Sequence, residues 1–568
     1  MKKEQILKTM ISGVSAVLFV LLLFSVFKNI SYPLLWNDES VTVVGTERVL
    51  EYGYPKVHGE KNVFHDFMHP DPSIAVNEHD DAFAGSSSWG HYYYGIIGYK
   101  LAEGTDDIYL KTGILRSTYA VTGLAGMLLF AFMAVRFLPG ARGRHVFIAL
   151  FLLLSLVSVS QALYLREVRY YSLALLLSSA IVGLYIRFRF YKPFNKIVFA
   201  VAEAVLLWLA FVTFSPLFAA ALLAMGMSEL CIFIGHYRKT GFVGAFRNAW
   251  PAVAFAGVAG IGVIPMMIEF KYFEISTAIA EYTGFNGEMY RDNLSALFGH
   301  FWKQELLLAA IIMKVFVLCR LRRIYRRYPA LLRVSAFLTL YFLVSLFLVG
   351  RIPQTVFARY VIYLQPVLSV VLLLDLFMVA YTARKPSPAT PKGHRKPAKQ
   401  SGGSPAVFPA TVLAILFLYA ALSNLSQIQG HIYELFHPYK GPLDYTIPWI
   451  AEHYPRADTL VIAANYEEYS YMYYLKSKVV VGYVGNNLEA DARETPDIIA
   501  YRKGWQNHLE VFNGYFQRAR YTPVSFPVYD SPVNTIPEFN FLPAFNHRFR
   551  TVLTSDPNRM TYLYIMEH

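Results

Sequence analysis

The chain has 568 residues, of which 55% are hydrophobic and 16% charged, against a charged share of about 25% in soluble globular proteins. That balance argues against a soluble protein. The net charge of +13 sits in short loops between apolar runs, so it reads as the basic bias of membrane loops and not as a nucleic-acid surface.

A spanning helix needs about 20 mostly apolar residues. Such runs recur at Met10 to Phe27, Gly113 to Val135, His145 to Leu163 and Tyr170 to Ile186. They continue at Ile197 to Phe214, Leu217 to Ile234, Pro251 to Ile268, Leu306 to Leu318, Val334 to Val349, Tyr360 to Tyr381 and Val407 to Leu425. The expected fold is therefore an all-α polytopic membrane protein with about eleven transmembrane helices. The first run follows Lys2, Lys3 and Lys8 and has no small-residue cleavage site behind it, so it reads as a retained anchor. Cys231 and Cys319 lie at the ends of apolar runs and supply neither a disulfide framework nor a metal cluster.

Alternate loops are basic and free of acids. They carry Arg136, Arg142 and Arg144, then Arg187, Arg189, Lys192 and Lys196, then Arg238, Lys239 and Arg247. The series continues through Arg320 to Arg327 and ends in the Pro- and Lys-rich stretch from Lys385 to Pro405, a flexible tether. Lysine and arginine bias places these loops in the cytoplasm. An odd number of spans then puts the N-terminus inside and the C-terminal region outside, in a multi-pass protein of the cell membrane. Residues 1–427 form the transmembrane domain, with a large outer loop at 29–112, and residues 428–568 form a small soluble domain. In that domain Thr459 to Ala463, Lys478 to Tyr483 and Asp497 to Tyr501 read as strands, and Tyr466 to Leu475 as a helix, which together suggest an α/β layer. The segment from Tyr521 onward reads as irregular.

Chemistry is expected on the outer face. Asp38 and Glu39 follow the first span, where adjacent carboxylates suit a general base facing a lipid-borne substrate; a helix cap is the plainer use of the same residues. Arg166, Glu167 and Arg169 occupy the short outer turn before the fourth span, and Arg351 and Arg359 lie on the outer turn before the tenth. Arginine is scarce on that face. Its guanidinium fork matches phosphate oxygens, although an ion pair pinning two helices, or snorkelling to the headgroups, would also explain it. His65 and His69 lie in an acidic, histidine-rich stretch of the first outer loop that could hold a divalent cation, at spacings that match no defined site. The run from Trp89 to Tyr94 could stack on a sugar or belong to the interfacial aromatic belt.

Together these features resemble the C-type membrane glycosyltransferases, in particular relatives of the protein O-mannosyltransferases and of the lipid A aminoarabinose transferase. The resemblance rests on Asp38-Glu39 after the first span, the Arg166 to Tyr171 turn, Arg359-Tyr360 at a late span and the small closing domain. It implies transfer of a sugar, a hexose or pentose, from a polyprenyl-phosphate-linked donor to a hydroxyl of a lipid, glycan or protein acceptor, with inversion. Asp38 would act as base, with Glu39 and Glu167 in support or holding a cation. Arg166, Arg169, Arg359 and Arg351 would serve the donor phosphate. No cofactor is required by that chemistry, a divalent cation being the one candidate. A lipid-linked-sugar flippase is the alternative, using the same charges without chemistry. The chain departs from many relatives at Gly85 to His91 and lacks the Trp-Trp-Asp signature of oligosaccharyltransferases. The charge bias makes one direct prediction: cysteine labels at Lys192 or Lys396 react only from the cytoplasm, and labels at Lys61 or Asn507 only from outside. Labelling of Lys396 and Asn507 from the same side would contradict this topology.

Overall fold

The computed structural model describes residues 2–64, 81–83, 89–191, 194–383, 418–419, 422–483, 485, 487–505, 507–530 and 547–567. After α1 (Lys2–Phe27) come two helices of the first large loop, α2 (Asn37–Tyr52) and α3 (Gly90–Ala102). The membrane region continues with α4 (Ile108–Val135), α5 (Ala141–Val157), α6 (Val159–Tyr164), α7 (Tyr171–Phe190), α8 (Lys196–Thr213) and α9 (Ser215–Glu269). Then follow α10 (Tyr272–Thr283), α11 (Gly287–Gln304), α12 (Leu307–Cys319), α13 (Leu321–Arg327), α14 (Pro329–Val349) and α15 (Gln365–Ala383). Among the described residues seven helices are long and apolar enough to cross a membrane, and α12 is a shorter apolar helix.

Helix α9 carries two of the expected spans. Gly241 interrupts it with φ 68° and ψ −175°, a left-handed conformation that glycine adopts without steric cost. Arg189 pairs with Glu229 on one side of this break and donates to the Asn248 carbonyl on the other. A straight helix would hold those positions about 28 Å apart, so the chain reverses at Gly241.

The expected third span departs from a continuous helix. It breaks at Ser158, between α5 and α6, where φ is −83° and ψ 93°. The reason is a buried carboxylate. Glu305 accepts hydrogen bonds from the hydroxyls of Ser158 (2.8 Å) and Ser160 and from the Gln365 amide (2.7 Å), and a side chain of that polarity needs such partners inside an apolar region. Elsewhere small residues let helices meet closely: a Cβ on Gly126 of α4 would lie 2.8 Å from the Leu176 backbone of α7. That close approach is the usual device of packed membrane helices. The eleventh expected span and the Lys385 to Pro405 tether fall mostly outside the described residues, as do His65 and His69.

The C-terminal segment opens with helices Leu425–Phe436 and Leu443–His453 and builds one sheet of β1 (Val461–Ala464), β2 (Lys478–Val481), β3 (Ile498–Ala500), β4 (Tyr521–Tyr529) and β5 (Met560–Met566). The strand order is β2-β1-β3-β5-β4. β1 pairs in parallel with β2 and β3, while β5 runs antiparallel to β3 and β4. The three expected strands and the helix, observed at Glu468–Leu475, are therefore present. The segment from Tyr521, expected to be irregular, instead supplies β4 and β5. Pro523 and Pro527 concealed β4; a proline cannot donate to a ladder, and β4 tolerates both because it is the edge strand and is bulged between Phe526 and Tyr529.

Two large cores result. One lies within the membrane helices. The other joins Val41 and Val44 of α2, Tyr92 of α3 and Tyr119 of α4 to Ile462, Tyr469 and Leu563 of the C-terminal segment. The first loop and the C-terminal segment thus share one interior.

Candidate functional site

The site begins where α1 gives way to α2. Leu34 donates its amide to Asp444 (3.1 Å), Leu35 donates to the Tyr474 hydroxyl (3.0 Å), and the Ser470 hydroxyl donates back to the Leu35 carbonyl (2.9 Å). These bonds clip the start of α2 to the C-terminal segment. Asp38 and Glu39 then fall in the first turn of the helix, where the aligned peptide dipoles favour negative charge. Their side chains point to different partners.

Glu39 is fully buried and carries a bidentate ion pair with Arg116 of α4 (2.6 and 2.9 Å). It also accepts the Val168 amide (3.0 Å), while Arg116 spends its remaining fork on the carbonyls of Ile30 (3.1 Å) and Pro33 (2.6 Å). One carboxylate therefore ties together α2, α4 and the Arg166 to Tyr170 turn.

Asp38 is partly exposed. Its carboxylate lies 3.4 Å from Arg359 and 3.8 Å from Arg169, and Arg169 also donates to the Asp38 carbonyl (3.1 Å). The helix-cap reading fails here, because the residue before α2 is Trp36 and no side-chain cap bond is made. Arg359 stands on a buried 3-10 turn, Ala358–Leu364, with its guanidinium 5.2 Å from the Trp36 ring and 4.4 Å from that of Phe357. Flat aromatic faces hold the fork in place.

Arg166 is buried and pairs with Glu434 (2.9 Å) of the helix Leu425–Phe436. His547 lies 3.0 Å from the same carboxylate and His431 3.7 Å, and His431 reaches Ser25 of α1 (2.9 Å). Burial alone would push the Glu434 carboxyl up, but the facing His547 and Arg166 outweigh it and hold it well below the usual range. A small cleft beside this group is lined by Tyr32, Pro33, Trp36, Glu39, Arg116, Leu163, Arg166, Glu167 and His547. Arg351 is exposed over the Tyr290 ring (5.7 Å) and has no ion pair among the described residues.

The structure thus gathers Asp38, Arg169 and Arg359 at one point and sets Glu39, Glu167 and Arg166 at the adjoining cleft. Within the run from Trp89 to Tyr94, Tyr92 belongs to the shared core and the buried His91 lies against its ring. No group of three His, Cys, Asp or Glu side chains suited to a metal occurs among the described residues. Arg116, Glu434 and His547 are participants that sequence reasoning missed. Arg116 alone left a signal, as a charge inside an apolar run.

No protein-family profile matches the chain, and no curated protein does. Among solved structures it is similar to ArnT from Cupriavidus metallidurans, crystallised with undecaprenyl phosphate, at 12% identity and a TM-score of 0.50, covering 98% of each chain. The likeness establishes the fold, an ArnT-like arrangement of apolar helices followed by a C-terminal segment with a small mixed sheet.

The ion pair at Glu39 makes a stability prediction. Arg116→Ala leaves a buried carboxylate without its partner and costs about 3–5 kcal/mol, read as a lowered unfolding temperature in detergent. The double variant Glu39→Leu with Arg116→Leu recovers most of that loss, because the unpaired charge is gone. Equal loss in the single and double variants would contradict the role given to the pair.

Proposed function

We propose that the chain is a membrane glycosyltransferase that takes a sugar from a polyprenyl-phosphate-linked donor and passes it to an acceptor hydroxyl at the outer face, with inversion. The observation that carries this reading is the Asp38 carboxylate set between the guanidinium groups of Arg169 and Arg359. The likeness to ArnT, solved with undecaprenyl phosphate, adds support. The protein would sit in the cell membrane with its N-terminus inside and its C-terminal segment outside, as the loop charges indicate.

Both arginine pairs to Asp38 are long for charge-assisted contacts, which run at about 2.7–2.9 Å. A donor phosphate can therefore take the guanidinium donors at small cost. Asp38 then accepts the proton of the acceptor hydroxyl, whose oxygen attacks the anomeric carbon as the bond to the phosphate breaks. Arg169 and Arg359 neutralise the charge that develops on the leaving phosphate, where fixed positive groups lower the barrier most. Glu39 positions Asp38 through α2, and Glu167 lies on the cleft wall with Arg166. A hexose and a pentose both fit this scheme. The divalent cation expected at His65 and His69 takes no part in it.

Asp38→Asn should keep the fold and lower turnover by a factor of about 10² to 10⁴, the range for positioned proton transfer. The assay is transfer of radiolabelled sugar from a polyprenyl-phosphate donor by purified protein in lipid, with unfolding temperature recorded alongside. Full transfer by this variant would remove the base, and movement of the intact donor across vesicles by both proteins would favour a flippase. Arg169→Ala and Arg359→Ala should each weaken donor use by about 1.5–3 kcal/mol, the worth of one charge-assisted contact. A donor KM unmoved in both would detach the arginines from the phosphate.

A further inference from the structure

The parallel half of the sheet ends beside the site. Past the carboxyl end of β1 the chain gives Tyr466 and the buried Glu467 and Glu468; past β2 it gives Gly482 and Tyr483; past β3 it gives Trp505. In open α/β sheets this edge is where ligands bind. Here its side chains are aromatic. Tyr466 stacks on Trp505 with ring centres 4.7 Å apart and planes at 28°. Tyr483 meets Trp505 edge-on at 5.0 Å and Tyr466 at 5.7 Å.

This cluster is continuous with the candidate site. Tyr466 packs against Trp36, whose ring carries the guanidinium of Arg359, which in turn faces Asp38. Burial raises the Tyr466 phenol well above its usual range, and the charges of Glu467 and Asp38 add to the effect. Trp36 and Tyr466 are buried, while Tyr483 and Trp505 are half-buried. Polar groups stand beside them. Glu468 is 4% exposed, and its Oε2 has no hydrogen-bond partner among the described residues. Its carboxyl lies against Gly482, where an added Cβ would be 3.3 Å away. Asn507, which donates to the Tyr483 carbonyl (2.8 Å), likewise has a side-chain oxygen without a partner among the described residues.

Aromatic faces beside acceptor oxygens suit a sugar ring, which offers axial C–H bonds to the ring faces and hydroxyl donors to the oxygens. A nucleotide or anionic headgroup would instead call for cations, and Arg502, at this edge of the sheet, is engaged by Glu467 and Asp530. We propose that Trp505 and Tyr483, backed by Tyr466 and with Glu468 alongside, form the acceptor subsite, and that the acceptor presents a saccharide to Asp38. This rests on the glycosyltransferase reading above.

The test uses full-length protein in lipid nanodiscs, a radiolabelled polyprenyl-phosphate sugar as donor and a panel of methyl glycosides as acceptors. Release of sugar from the donor is scored first. If the intact protein releases none, the donor reading fails and this proposal falls with it. If it does, transfer to at least one glycoside is expected. Trp505→Ala and Tyr483→Ala should then raise the acceptor KM tenfold or more with the donor KM within about twofold, at a contact worth about 1.4 kcal/mol per decade. Trp505→Phe, which keeps a flat face, should recover most of the loss. Two results overturn the subsite while leaving the donor chemistry standing. One is a joint fall of kcat and unfolding temperature with the acceptor KM unmoved, which marks a packing role. The other is transfer to lipid or peptide hydroxyls with none to any glycoside.

Discussion

The arrangement depends on the buried pair of Glu39 and Arg116. Moving two charges out of water costs several kcal/mol per ion, and the cost is offset only when geometry and hydrogen bonding are nearly complete. Here Glu39 takes two contacts from the guanidinium and one from the Val168 amide, while Arg116 also reaches the Ile30 and Pro33 carbonyls. Three separate stretches of chain are thereby fixed against one another. Asp38 adjoins Glu39 in the chain, and Arg169 adjoins Val168. Fixing Glu39 and Val168 brings the carboxylate and its guanidinium to the same place, and the 3-10 turn at Ala358 delivers Arg359 to it.

A second set of polar contacts closes the cleft. Glu434 and His547 come from the C-terminal segment, yet Glu434 engages Arg166 while His547 holds the same carboxylate, and His431 reaches Ser25 in the first helix. Together with the bonds from Asp444, Ser470 and Tyr474 to the start of α2, they make the C-terminal segment part of the site wall. A shared apolar core beneath these contacts excludes water and strengthens them. An aromatic path from Trp505 through Tyr466 and Trp36 to Arg359 then runs along the same wall, where the proposed acceptor subsite lies.

The spans were legible in the sequence because a bilayer demands long apolar runs, and the pattern needs no tertiary information. The break at Ser158 was not. Its cause, Glu305, lies far along the chain, and no local window around Ser158 contains it. Prolines in β4 suggested an irregular segment, since their tolerance depends on β4 being an edge strand. Asp38, Arg169 and Arg359 could be named from residue type and position relative to the spans. Their convergence could not, and neither could the engagement of Arg166 by Glu434, because pairing across such separations is decided by packing. The sequence offered Asp38 and Glu39 as one acidic pair; the fold separates them into a partly exposed group and a buried anchor.

The most direct measurement is a density map of the protein in lipid with a bound polyprenyl phosphate. The account predicts the phosphate within hydrogen-bond distance of both Arg169 and Arg359, with the Asp38 carboxylate released from them and open towards the Trp36 and Tyr466 wall, and with the Glu39 to Arg116 pair unchanged. A phosphate bound elsewhere, with Asp38 still held by the two arginines, would contradict it.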